Sequence, residues 1–104
     1  MPTQLDIDRF TLAFHRLAVP RLQSEPGLVQ RALQTLDRWR EQRGLDARDV
    51  YGQEWRELLS GDLGRLEQAV CAEDAHAATL RGTSPLGFVL SPQERTAARR
   101  AAGL

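Results

Sequence analysis

Helix-start and helix-stop signals recur at short intervals along this chain, and their spacing constrains the fold more than any other feature. Ser24-Glu25-Pro26-Gly27, Ser60-Gly61-Asp62, Gly82 and Ser91-Pro92 each begin or end a helix. Proline suits only the first helical turn, and glycine tolerates the backbone of a C-terminal cap. Between these signals, apolar residues recur at helical spacing. The expected fold is all-α, a compact bundle of about five to six helices with an irregular apolar loop before a short C-terminal helix. At 104 residues the chain has the length of one domain, so residues 1–104 are expected to share a single core, with 91–104 a peripheral helix.

The first helix is expected from Gln4 to about Val19, with Thr3 and Asp6 forming a capping box that uses a shorter acid. Ile7, Phe10, Ala13, Phe14, Leu17 and Ala18 make its apolar stripe; His15 lies off that stripe and reads as solvated. Pro20 predicts a kink, or a break with a restart through Arg21, Leu22 and Gln23. The second helix runs to about Arg43, with Leu28, Val29, Ala32, Leu33, Leu36 and Trp39 facing inward and Gly44 as its cap. Its other face carries Arg31, Arg38, Arg40, Glu41, Gln42 and Arg43. Asp46 and Asp49 are candidate caps for a third helix, whose stripe is Val50, Tyr51, Trp55, Leu58 and Leu59. Trp39 and Trp55, the largest apolar groups, are expected to fill the junction between these two helices.

Asp62 caps a fourth helix that turns Leu63, Leu66, Ala69, Val70 and Ala72 inward, and a short helix from Ala75 to Arg81 follows. The predicted core thus centres on Phe10, Phe14, Leu33, Leu36, Trp39, Trp55, Leu58, Leu59 and Leu66. The segment TSPLGFVLSP concentrates Leu86, Phe88, Val89 and Leu90 without helical spacing. So much apolar surface must be buried, against the chain's own helices or in a partner. Ser91, Pro92 and Glu94 then form a capping box for a last helix. Its apolar residues are all alanines, and Arg95, Arg99 and Arg100 make it the most basic part of the chain.

Chemistry is weakly signalled. The fourteen basic residues, all arginine, are balanced by fourteen acids, so no net field draws the chain to a polyanion. Cys71 has no partner for a disulfide and reads as a buried thiol. No phosphate loop, zinc motif or nucleophile elbow occurs, and the two histidines are far apart, so no catalytic residue, metal ligand or cofactor is assigned and an enzyme is not expected. The start, MPTQLDIDRF, has no leader-like pattern and no window is long enough to span a bilayer, which leads to the expectation of a cytoplasmic bacterial protein.

The order LVQRALQTLDRW, then Tyr51 with EWRELLSGDLGRLEQAV, then LRGTSPLGFVLSPQER resembles a family of small bacterial antitoxin-like proteins of toxin–antitoxin modules. Their chains place a tryptophan helix before an "EW..LL.G.L..L" stretch and end in "LR..SPF.GVLSP.ER". The residues on the pattern are Trp39, Tyr51, Trp55, Leu58, Leu59, Leu80, Arg81, Ser84, Pro85, Leu90, Ser91, Pro92, Glu94 and Arg95. Leu86 replaces the usual aromatic, and Phe88 stands where smaller residues are typical. The resemblance implies a protein that binds and neutralises a toxin by contact. Leu86, Phe88, Val89 and Leu90 would be its apolar anchor and Arg81, Arg95, Arg99 and Arg100 its charged rim. Two alternatives are a small DNA-binding or autoregulatory protein using the basic helix faces, and a helical dimerisation scaffold.

Overall fold

The computed structural model describes residues 3–43 and 50–104. Its first helix, α1 (Gln4–Ser24), starts at the expected cap: the Thr3 hydroxyl accepts from the Asp6 amide at 3.1 Å, and the Asp6 carboxylate accepts from the Thr3 amide at 3.0 Å. Five more helices follow among the described residues: α2 (Gly27–Arg43), α3 (Val50–Ser60), α4 (Leu63–Val70), α5 (Ala75–Gly82) and α6 (Pro92–Ala101). Gly44, Asp46 and Asp49, read as caps, lie outside the described residues.

α1 is the axis of the bundle, with α2, α4, α5 and α6 all packed on it. It continues through Pro20 rather than breaking there. Proline removes one backbone hydrogen bond at that point, but Ala18, Val19 and Leu22 are fully buried on either side, and this packing holds the turn together. The buried side of α1 is also rotated from the stripe read in the sequence. It carries Phe14, His15, Ala18, Val19 and Leu22, whereas Ile7 and Leu17 stay 45% and 44% exposed. A helix with neighbours on several sides buries a wider arc than a single stripe.

The expected core residues all contribute. Phe14, Leu36, Trp55, Leu59 and Leu66 are buried, and Phe10, Leu33, Trp39 and Leu58 pack against them partly covered. Trp55, fully buried, does not simply plug the junction between α2 and α3. Its indole N–H donates to the Leu80 carbonyl of α5 at 2.9 Å, and its ring lies 6.2 Å from that of His15 on α1, so one side chain ties α3 to two other helices.

The segment from Thr83 to Leu90 closes the chain's own core. Leu86 and Pro85 are fully buried, Val89 and Leu90 nearly so, and only Phe88 is half-buried. Tight turns keep its polar backbone satisfied: the Leu86 amide donates to the Ser84 hydroxyl at 3.1 Å and the Val89 amide to the Leu86 carbonyl at 3.0 Å. Leu86, Val89 and Leu90 therefore do not form the apolar anchor expected on a contact surface.

The last helix is not peripheral. Ser91 and Glu94 form the expected capping box, and α6 lies antiparallel on α1: Glu94 pairs with Arg21, Arg95 covers Phe14 and Arg99 covers Phe10. Ala98 is fully buried, a residue small enough to let the two helices approach closely. Gly103, at φ +80°, supplies the left-handed turn that ends the helix, and the Leu104 amide returns to the Arg99 carbonyl at 2.9 Å.

Burial of the loop has a direct consequence for stability. Leu86→Ala should lower the unfolding free energy by about 2–5 kcal/mol, the usual range for a core leucine, as read by urea denaturation. A change within about 0.5 kcal/mol, as for an exposed site, would contradict this placement.

Candidate functional site

Two residues that looked available for contact or solvation are structural. His15 is buried, and its ring joins α1 to the loop. Nδ1 lies 2.6 Å from the Thr11 carbonyl, which can only accept, so Nδ1 carries the proton; Nε2, 2.8 Å from the Ser84 hydroxyl, then accepts from it. Ser84 also receives the Leu86 amide, so both functions of its hydroxyl are committed to holding the loop. Burial, together with the nearby Arg81 charge, outweighs the Thr11 hydrogen bond and lowers the His15 pKa to about 4.

Arg81, expected on a charged rim, is 5% exposed. One of its terminal nitrogens donates to the Val70 and Ala72 carbonyls, both at 2.7 Å, which are left open where α4 ends. The cation thus sits where the α4 dipole is negative and locks α4 to α5. Cys71, the C-cap of α4, is half-buried rather than fully enclosed; burial and then Glu67 raise its pKa.

Three of the remaining predicted contact residues, Phe88, Arg95 and Arg99, converge on one face. The chain has three phenylalanines, and an arginine covers each. The Arg31 guanidinium lies 4.3 Å from the Phe88 ring centre, Arg95 lies 5.2 Å from Phe14, and Arg99 lies 5.6 Å from Phe10. These separations are within reach of cation–π attraction. Arg95 also donates to the Gly87 carbonyl, next to Phe88, and the Phe10 and Phe14 rings are 6.2 Å apart. The run Arg31–Phe88–Gly87–Arg95–Phe14–Phe10–Arg99 is therefore one connected surface drawn from α2, the loop, α6 and α1.

The arginines of this region, Arg31, Arg95 and Arg99, are exposed, as is Arg100 on another side of α6, and among the described residues none of the four forms an ion pair. Glu94, the one acid of α6, is already engaged. It accepts from the Ser91 amide and pairs with Arg21, and these two contacts hold its carboxyl below the usual range. A guanidinium carries five N–H donors in a fixed planar fork, which suits these exposed arginines to bidentate pairing with an anion. Arg31 was not singled out as a contact residue from sequence, because its ring partner is distant in the chain. The matched four-residue spacings of Phe10 with Phe14 and Arg95 with Arg99 were a usable signal.

Elsewhere, an open groove of about 540 Å³ runs between α3 and the start of α4, lined by Val50, Leu58, Glu54, Glu57, Asp62 and Arg65 among others. Glu54 is bound to His76 at 2.7 Å. Among the described residues no three His, Cys, Asp or Glu side chains gather as metal ligands, and no helix is long and apolar enough to cross a membrane. No family model matches the chain, and neither a curated protein nor a solved structure matches it.

The buried His15 makes stability depend on pH with a definite sign. The unfolded imidazole titrates near 6.5 and the folded one at about 4, so the unfolded chain binds the extra proton between those values. The contribution of neutral His15 is complete above about pH 6.5 and falls as the pH drops toward 4. Wild type should lose about 2 kcal/mol more than His15→Gln between pH 7 and pH 5. Urea titrations at the two pH values measure the difference, and parallel losses in both proteins would refute it.

Proposed function

We propose that this chain is a binding protein of antitoxin type, which neutralises a partner protein by docking an acidic surface of that partner on the Arg31–Arg95–Arg99 face. The observation that carries the reading is the set of three phenylalanine-stacked arginines without carboxylate partners among the described residues. The kind of partner follows from the resemblance of its EWRELLSGDLGRLEQAV and LRGTSPLGFVLSPQER stretches to antitoxin-like chains.

Burial of Leu86, Val89 and Leu90 changes the mechanism from an apolar plug to an electrostatic one. Phe88, half-buried beneath Arg31, is the apolar element of the loop left at this surface. A metal-dependent toxin that holds its ions on Asp and Glu oxygens has an acidic active site, and arginines held near aromatic rings are pre-ordered to enter it at reduced entropic cost. An acidic protein is favoured over nucleic acid because the chain's formal net charge is zero and this face offers three arginines, fewer than the six to ten phosphate contacts typical of a strongly salt-dependent DNA binder.

The test pairs the chain with the product of the reading frame beside its own gene. Removing residues 91–104 is unsuitable, since it would uncover Phe10 and Phe14. The threefold variant Arg31→Gln, Arg95→Gln, Arg99→Gln keeps the backbone instead. At roughly 0.5–1 kcal/mol per exposed pair, it should bind about 100-fold more weakly and fail to rescue growth of cells expressing the partner. Undiminished binding by a folded variant, or no binding by wild type, would overturn the proposal. Tighter binding to duplex DNA than to that protein would favour the nucleic-acid alternative.

A further inference from the structure

Resting on the reading of the arginine face as a docking surface, we infer that the docked segment of the partner is a helix presenting two carboxylates one turn apart, one to Arg95 and one to Arg99. These arginines are four residues apart on α6, a rise of about 6 Å along the helix axis. Beneath them Phe14 and Phe10 are also four residues apart, with ring centres 6.2 Å from each other. α6 and α1 run antiparallel, so the two repeats stay in register and each guanidinium is set on its own ring. The cation pair therefore repeats at the helical period.

An α-helix with Asp or Glu at positions i and i+4 repeats its carboxylates at the same rise on one face. Such a helix laid along α6 brings one carboxylate to each guanidinium edge. Arg95 gives one N–H to Gly87 and keeps the others for the partner. An extended segment also repeats at a comparable distance, but the described residues contain no strand whose edge it would pair with, so a helix fits better. Arg31, linked to Arg95 through Phe88 and Gly87, then flanks the two central pairs and sets orientation.

The probes are two alanine-rich helical peptides of equal charge and helicity, one with glutamates at i and i+4, the other with them at i and i+2 on divergent faces. Arg Nε–H signals of the intact protein report binding in an NMR titration. The i, i+4 peptide should bind about fivefold tighter, the value of one additional exposed ion pair. That preference should vanish in Arg95→Gln and in Arg99→Gln, each checked for an unchanged thermal midpoint. Equal affinity for both peptides, with loss of both on arginine substitution, would overturn the spacing inference and leave the docking face standing. Binding of both peptides that ignores the arginines would remove the face as well. A single-stranded oligonucleotide that outcompetes the i, i+4 peptide at equal charge would also overturn the inference.

Discussion

The structure depends on burial along one side of α1. α3, α4, α5 and α6 are short, eleven, eight, eight and ten residues, and helices of that length are marginal in water by themselves. Each is stable here because it covers part of Phe14, His15, Ala18, Val19 or Leu22, or packs on a neighbour that does. Trp55 extends the arrangement by reaching from α3 to the α5 carbonyl beside the His15 ring. α1 in turn needs that cover, since an uninterrupted passage through Pro20 has little local support.

This dependence accounts for the fate of the residues that looked functional. His15 and Arg81 are polar groups at junctions: one holds the loop to α1 through Ser84, and the other closes the carbonyl end of α4. The apolar loop fills space that the short helices leave between them. The arginines over Phe10, Phe14 and Phe88 stay exposed after these assignments. They cluster because α6 must lie along α1, and the same packing that stabilises the tail aligns its cations.

Much of the fold was legible in the sequence because its signals are local. The Thr3–Asp6 and Ser91–Glu94 capping boxes, the Asp62 cap and the alanine-lined last helix depend on residues within one turn of each other. The features that escaped involve distant partners. Nothing near His15 announces Ser84, and nothing near Arg81 announces the end of α4. The continuity of α1 at Pro20 is a tertiary effect overriding local propensity. For the candidate site, Arg95 and Arg99 were visible as a basic tail, while their aromatic seats were hidden until α6 was laid on α1.

The segment from Thr83 to Leu90 belongs to the core of the free chain, with Pro85, Leu86, Val89 and Leu90 buried in it. Native-state hydrogen exchange tests this residue by residue. The Leu86 and Val89 amides, bonded to Ser84 and Leu86, should exchange only through opening with a free energy close to that of global unfolding. Exchange of these amides at the rate of an unstructured peptide, in a chain whose α1 amides remain protected, would contradict the account.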